Sequence, residues 1–406
     1  MSSSSGSVSA ATRRSILLLS FATFASMCAQ RICDAMLPEL SRVFAVSLGQ
    51  AAQVVSVFAI TYGAAQLIFG PLGDRLGKYR IVTLATFGCS IGSLVAVLAS
   101  SLDMLLVARF LMALAAAGLI PLAMAWVGDS VPTDRLQEML TKTGLGSTLG
   151  LVVGQLLGGL LTDALGWRWC FVFMAVLFTA VGCFLYSDLR SQGVPLFKSL
   201  PIEEEAATAA GRPGFVKQAV LIFTDSWSRT VLLLATIEGA VSFGVLAIWA
   251  SHLHRRLGLS LSVAGAIVAL YGLGGVLYMM LGRRLIARFG QQGLVAAGGI
   301  VLAACAAMMA FAPNWWVAAA ASLIGGFGFF MFHNTMQATA TDMAPQARGT
   351  AVALFSSALF LGQSIGVVMA ASLIDRIGSS AVIWVGGVVM AVEGLYFASA
   401  LRRRRA

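Results

Sequence analysis

The sequence predicts an all-α polytopic membrane protein, with twelve transmembrane helices arranged as two pseudo-symmetric six-helix bundles. Hydrophobic residues make up 59% of the 406 residues and charged residues 11%, whereas soluble domains average roughly 45–50% and about 25%. In addition, a short charged motif recurs at fixed spacing, which indicates a duplicated architecture. We therefore expect the chain to fold in a bilayer rather than around a water-soluble core.

Twelve long apolar runs account for the predicted helices. A spanning helix needs about 20 apolar residues, and membrane β-strands would be runs of about 10 residues with alternating polarity. The runs here are too long and too evenly apolar for strands. The predicted spans are 15–37, 51–72, 80–100, 102–126, 141–163, 167–187, 230–251, 263–281, 291–312, 315–337, 349–373 and 380–401.

The repeated motif is a glycine-rich turn between the second and third runs. Its copies begin 89 and 88 residues apart within each half and 213 and 212 residues apart between halves. A step across three predicted helices reverses orientation, and a step across six preserves it. The repeats therefore predict 3+3 inverted units within two parallel halves, the symmetry of many secondary transporters. The copies are Asp-Arg-Leu-Gly at 74–77, Asp-Ala-Leu-Gly at 163–166, Ala-Arg-Phe-Gly at 287–290 and Asp-Arg-Ile-Gly at 375–378.

Lys and Arg residues predict the orientation of the helices. With both termini assigned to the cytoplasm, 20 of the 27 lie on the inner side and five on the outer side, as the positive-inside rule requires. This distribution explains the net charge of +10, so we do not expect nucleic acid as a partner. The six cysteines have no metal-ligand spacing and are interpreted as small packing residues.

The chain divides into five predicted segments around one long polar interruption. Part of that interruption, Phe215 to Trp227, is either an amphipathic helix on the membrane surface or a plain linker. The segments are a disordered cytoplasmic N-terminus at 1–14, a first bundle at 15–187, a cytoplasmic linker at 188–229, a second bundle at 230–401 and a basic cytoplasmic C-terminus at 402–406.

The stretch from Gly70 to Arg80 resembles the loop 2–3 signature of the major facilitator superfamily, Gly-x-x-x-Asp-Arg-x-Gly-Arg/Lys-x-Arg/Lys. The resemblance to that family extends over essentially the whole chain. In the family, two acids and a lysine or arginine form a charge cluster that latches the outward-open state. The resemblance implies this role for Asp74, Lys78 and Asp129, with Gly70, Arg75 and Gly77 completing the motif.

Two further motifs resemble the drug:proton exporter branch of the family. The glycines of Gly150-x-x-x-Gly154-Gln155-x-x-Gly158-Gly159 match its helix-5 antiporter motif, although Gln155 stands where proline is usual. The stretch Trp167 to Phe171 resembles its external loop 5–6 consensus. These motifs favour an exporter over a sugar porter, and the missing proline leaves strict antiport open.

Ionisable residues within predicted spans supply the proton-coupling candidates, because such residues are costly in a bilayer. Burial and a neighbouring arginine act in opposite directions on the protonation of a carboxylate. Asp34, with Arg31 three residues before it on one predicted helical face, is therefore the proposed proton carrier; the alternative is a permanent ion pair. Arg109 resembles the family's helix-4 arginine that is tied to proton coupling, or it bonds backbone carbonyls. Glu238 is a second proton site or a counter-charge for a cationic substrate.

Polar and aromatic side chains on the predicted cavity helices are the substrate candidates, with helix–helix packing as the alternative for each. Glu393 lies on the last predicted helix, which is peripheral to the cavity in this family, and is interpreted as structural or near the lipid headgroups. The cavity candidates are Arg31, Tyr62, Gln66, Gln155, Trp249, Tyr271, His333, Asn334 and Gln363.

These observations predict a proton-coupled secondary active transporter of the inner (plasma) membrane that exports a small organic molecule by alternating access. Without a Walker sequence, metal cluster or nucleophile elbow, we expect no enzyme activity and no cofactor beyond the proton gradient. The expected partners are the lipid bilayer, protons and substrate, and the expected state is a monomer. One alternative is an uptake or exchange transporter for an organic anion that uses Arg31 and Arg109. The other is a non-transporting receptor or lipid-handling protein, against which the intact motif argues.

The first motif copy should matter most, because it alone keeps Gly70, Asp74, Gly77 and Lys78 together. We expect Asp74→Asn to slow transport by about tenfold, a usual size for a lost conformational coupling. Asp375→Asn should change the rate much less. Vesicle transport assays of the two variants check this asymmetry, and equal losses would contradict it.

Overall fold

The computed structural model describes residues 9–196 and 215–405, and every regular element in these ranges is helical. The predicted tail at 1–8 and the middle of the predicted linker, 197–214, lie outside the described residues. The helices of the first half are α1 Ala10–Arg31, α2 Leu37–Val43, α3 Leu48–Ala51, α4 Gln53–Leu76, α5 Lys78–Val97, α6 Leu102–Ala116, α7 Leu119–Ser130, α8 Thr133–Leu165 and α9 Arg168–Ser191.

The second half follows a short linker helix. Both end helices of the chain extend into segments predicted as tails, since α1 begins at Ala10 and the last helix runs to Arg405. The elements are α10 Phe215–Thr224, α11 Ser226–Glu238, a π-helical turn Gly239–Gly244, α12 Trp249–Leu257, α13 Leu261–Ala310, α14 Trp315–Asp342, α15 Arg348–Ile377 and α16 Ser379–Arg405.

Ten helical stretches of the described residues are long and apolar enough to cross a membrane. One of them, α13, is 50 residues long and covers the predicted span 263–281 and all but the last two residues of the predicted span 291–312. The more polar α1 is not among the ten. The prediction of an all-α multi-pass membrane protein is confirmed, whereas the count of twelve spans and the 3+3 repeat stay predictions.

The glycines of the four motif copies have the same unusual backbone conformation. Their φ angles are +91° at Gly77, +98° at Gly166, +63° at Gly290 and +82° at Gly378. Residues with a Cβ rarely adopt positive φ, so glycine is favoured there. At each copy, one helical stretch ends at the glycine, and the following helical stretch begins within two residues of it. The recurring motif is therefore a tight helix–helix connection.

The contact between α1 and α8 depends on glycines spaced four residues apart, from Gly146 to Gly158 on α8. A Cβ at any of these positions would overlap the α1 backbone, so the two helices touch along their main chains. Small residues at this spacing allow close helix contacts in membranes. The α1 carbonyl oxygens that face the four glycines belong to Ser20, Phe24, Cys28 and Ile32.

We expect Gly290→Ala to destabilise the protein by about 1–3 kcal/mol, because its conformation at φ 63° and ψ 175° is almost exclusive to glycine. Gly128→Ala on α7 is the matched control. Neither position has an atom within 4 Å of an added Cβ in the described structure, so only the backbone conformation differs. The control should be neutral or gain about 0.5–1 kcal/mol. Thermal unfolding in detergent measures both, and equal effects would refute the assignment.

Candidate functional site

The two halves close against each other on the side opposite the motif loop Gly70–Arg80. We call the side of that loop the motif side. On the opposite side, the Asp163 carboxylate at the end of α8 accepts hydrogen bonds from the backbone N–H and hydroxyl of Ser262, both at 2.6 Å. Ser56 on α4 and Ser364 on α15 bond through their hydroxyls at 2.8 Å. These contacts seal the opposite side across both pairs of interface helices.

A cavity of about 680 Å³ opens on the motif side between α1 and α8. Sequence reasoning missed its lining, because apolar residues on a membrane helix carry no signal that separates a cavity wall from a lipid-facing surface. The predicted substrate residues do not line this cavity. Its walls combine Leu17, Phe21, Phe24, Leu145 and Leu149 with the charged side chains of Arg13, Arg135, Glu138 and Lys142.

A buried charge cluster lies deeper in the protein, on the same α1 face as Leu17 and Phe24. The Arg31 Nη1 lies 3.4 Å from the Asp34 Oδ2, and both side chains are fully buried. The Gln155 amide donates a 2.8 Å hydrogen bond to the same carboxylate oxygen. Asp34 Oδ1 and two guanidinium nitrogens of Arg31 have no partner among the described residues. The structure thus brings together the three predicted residues and leaves polar atoms that can bind a ligand.

The prediction that Arg31 and Asp34 share a helical face is wrong in its local geometry. The helix α1 ends at Arg31, and the next five residues form turns before α2 begins. Pro38, in the first turn of α2, cannot donate to the carbonyl four residues earlier, that of Asp34. The two side chains still meet, because the Asp34 N–H bonds the Arg31 carbonyl at 3.2 Å in a tight turn.

Arg109 connects the first two spans through their backbones. Its Nη1 donates to the Ala29 carbonyl at 2.8 Å and its Nε to the Val54 carbonyl at 3.1 Å. The guanidinium also lies 4.1 Å from the ring centre of Phe58. Of the two interpretations left open above, backbone bonding is the one that the geometry displays. The Nη2 has no partner among the described residues.

Arg31 also reaches the other half of the molecule. Its guanidinium carbon lies 4.3 Å from the ring centre of Phe243, in the π-helical turn after α11. A desolvated cation over an aromatic face contributes up to about 2 kcal/mol. The residue that pairs with Asp34 is therefore also a contact between the two halves.

Glu238 and His333 form a second polar pair, in the second half. The Glu238 Oε1 lies 2.8 Å from the His333 Nδ1, and the Glu238 side chain is fully buried. His333 stacks on Phe329, with ring centres 5.1 Å apart. The π-helical turn begins directly after Glu238, and such turns occur frequently at functional sites.

The other predicted cavity residues are buried or half-buried. Tyr62 packs against Phe360 across the contact between the halves, with ring centres 4.7 Å apart. Trp249 and Tyr271 pack edge to face at 5.7 Å. Gln66 and Gln363 are buried and Asn334 is half-buried.

The charge cluster of the motif loop is assembled in the structure. Lys78 Nζ lies 2.6 Å from the Asp129 Oδ2 and 3.0 Å from the Asp74 Oδ1. Gly77 forms the turn between α4 and α5 that places Lys78 there. Both carboxylates are more than half exposed, so these ion pairs contribute about 0–1 kcal/mol to stability. Arg75 is exposed and Gly70 faces open space.

Two acidic residues have environments that the sequence did not reveal. Asp188, near the end of α9, accepts hydrogen bonds from the side chains of Ser15, Tyr79 and Arg14 at 2.6–2.7 Å. Glu393 on α16 is buried among the helices, with a side chain that is 4% exposed.

The architecture defines a membrane transporter of two helical halves with polar groups between them. The sequence profile of the Major Facilitator Superfamily matches residues 19–237 and 231–406. The chain belongs to that family, and it is a transporter rather than an enzyme.

The chain is also similar to individual transporters. The chain is 26% identical to the uncharacterized MFS-type transporter YceJ of Bacillus subtilis, over 83% of each chain. It is 24% identical to the probable multidrug resistance protein EmrY of Escherichia coli, over 58% of this chain and 46% of EmrY. A bacterial homologue of the human lysosomal transporter Spinster, solved inward-facing and unoccupied, superimposes with a TM-score of 0.73 at 18% identity, over 97% of this chain and 96% of that one.

We expect a disulfide between Ser56→Cys and Ser364→Cys to lock the opposite side closed, because the two hydroxyl oxygens lie 2.8 Å apart. Mild oxidation should cross-link the double variant and raise its stability by about 2–4 kcal/mol. Peptide mass spectrometry and thermal unfolding, before and after reduction, check this. Each single variant is a control, and a double variant that never cross-links would show that this contact is absent in the membrane.

Proposed function

We propose that the protein is a proton-coupled secondary active transporter that exports a small organic molecule across the plasma membrane by alternating access. The observation that carries the proposal is the buried cluster of Arg31, Asp34 and Gln155 at the contact between the halves. A carboxylate in such a place is costly and is a natural proton carrier. Its interaction with Arg31 links proton binding to the half-to-half contact at Phe243.

The distribution of Lys and Arg assigns the motif side to the cytoplasm under this proposal. The described conformation is then open to the inside, with its cavity facing the cytoplasm. Counting α1 as one span and α13 as two, on either side of Gly290, gives twelve crossings with both termini inside. The cavity volume of about 680 Å³ falls within the usual range of small-molecule sites, roughly 300–1,000 Å³.

The proton acts through the partners of Arg31. While Asp34 is ionised, its carboxylate holds Arg31 and the Gln155 amide. Protonation of Asp34 removes the negative charge, which leaves Arg31 its contact with Phe243 of the second half. Proton binding to Asp34 therefore changes the energy of the contact between the halves. A substrate that binds Arg31 competes with Asp34 and Phe243 for the guanidinium. The charge cluster at Lys78 is already formed in this conformation, so under this proposal it orders the motif loop in the inward-open state as well as in the outward-open state.

A second candidate function is uptake or exchange of an organic anion. Arg31 has two guanidinium nitrogens, and Arg109 one, without partners among the described residues. Arginine binds carboxylate and phosphate groups through paired hydrogen bonds. This alternative uses the same cluster as an anion site instead of a proton site.

Proton flux in proteoliposomes that contain a pH-sensitive dye tests the proposal. A cationic or neutral amphiphile that is added outside and transported into the lumen should exchange for luminal protons in the wild type. The luminal dye should then report a rise in pH, and Asp34→Asn should abolish that rise. Asp34→Asn should also remove the pH dependence of substrate binding. Asp103→Asn, at an exposed carboxylate on α6, should behave as the wild type.

Two outcomes would overturn parts of the proposal. If an inward proton gradient drives accumulation of substrate in right-side-out vesicles, the direction is uptake. If Asp34→Asn binds substrate with the pH dependence of the wild type, Asp34 is not the proton carrier.

A further inference from the structure

The last helix carries a buried acid that the proposed function leaves unused. Glu393 on α16 is 4% exposed, and neither of its carboxylate oxygens has a hydrogen-bond partner among the described residues. An ionised carboxylate in such surroundings costs several kcal/mol unless it is paired. The neutral, protonated form of Glu393 is therefore the stable one in this conformation.

Glu393 lies on the face of α16 that packs against α11 and the π-helical turn. An added Cβ at Gly386 would lie 3.1 Å from Val245, and the Met390 sulfur accepts a 3.2 Å hydrogen bond from the Ser242 hydroxyl. Phe397 stacks on Trp227 with ring centres 6.2 Å apart. Positions 386, 390, 393 and 397 form one helical stripe, so Glu393 faces the part of α11 between Trp227 and Ser242.

Glu238 occupies that part of α11. Its Oε1 contacts His333, but its Oε2 has no partner among the described residues. The stripe on α16 thus places Glu393 opposite the element that carries Glu238, and two carboxylates close together in apolar surroundings cannot both be ionised at low cost. A cavity of about 20 Å³, lined by Ser242 and Met390, lies beside the stripe and has room for about one water molecule.

Few other titratable groups face this region. His333 on α14 contacts Glu238, and Arg31 on α1 reaches the π-helical turn at Phe243. On α13, the helix that packs most extensively against α16, Tyr271, Tyr278 and Cys305 are buried, and Arg283, Arg284 and Arg288 are exposed. The titratable residues of α15 occur at its two ends.

We propose that Glu393 is a proton-binding residue that carries its proton beside the Glu238 carboxyl, so that the second half of the transporter holds its own pair of acids. His333 connects that pair to the contact between the halves. The transport consequence rests on the proposed proton coupling, in which Glu393 would be a proton site separate from Asp34. The presence of the proton on Glu393 does not depend on the substrate or the direction of transport.

Infrared spectroscopy of the purified protein in lipid tests the proposal without a substrate. The wild type at neutral pH should show the carbonyl stretch of a protonated carboxyl in apolar surroundings, and Glu393→Gln should remove it. In Glu238→Gln the band should remain but disappear at a lower pH, because the neighbouring negative charge is gone. Glu39→Gln, at the partner of Arg42 outside the spans, and Asp34→Asn should both leave the band in place.

The possible contrary results separate the two parts of the proposal. A band that survives Glu393→Gln overturns the assignment of the proton to Glu393. A band lost in Glu393→Gln but unchanged in its titration by Glu238→Gln overturns the pairing. If Glu393→Gln does not fold, Glu393→Asp keeps a carboxyl and should shift the band, and an unshifted band would refute the assignment. The two proposals can also fail separately. Asp34→Asn tests the proton site of the proposed function through the pH dependence of transport, and the infrared band tests the proton on Glu393.

Discussion

The hydrocarbon core of a membrane offers no hydrogen bonds, so each backbone N–H and C=O group within it must find a partner in the protein. This constraint makes regular helices the default and makes each interruption costly. The described chain interrupts its helices after Arg31, around Gly118 and after Glu238. The breaks after Arg31 and after Glu238 lie beside the buried carboxyls of Asp34 and Glu238. Unpaired backbone groups and buried charges, which are both unfavourable in a membrane, therefore occur at the same places.

Arg109 shows how one side chain reduces both costs. Its guanidinium bonds the carbonyls of Ala29 and Val54, and Ala29 lies two residues before the end of α1. The positive charge is held close to Asp34 without bonding it. The same arginine therefore stabilises the broken end of a helix and balances the negative charge nearby. A residue with two such functions tolerates little change, since lysine has the charge but not the planar set of donors.

The sequence was sufficient for the features that depend on composition and spacing. The apolar runs predicted the helices, and the resemblance of the motif at Asp74 to the family's loop 2–3 signature implied its partners Lys78 and Asp129. Gln155 was identified from its position in a glycine motif, and the glycines explain why it reaches Asp34. The spacing of Arg31 and Asp34 did not reveal the break between them. The partners of Glu238 and Glu393 depend on how distant helices pack, which no single segment encodes.

The four single-glycine connections at 77, 166, 290 and 378 have a mechanical consequence. Two long helices joined by one or two residues have little freedom to move apart, so each connected pair should tilt as one rigid hairpin. Flexibility is then restricted to the longer connections, such as those at 98–101 and 311–314. Each half then consists of rigid helix pairs joined by a few longer connections, and a displacement at one end of a pair is carried to its other end across the membrane.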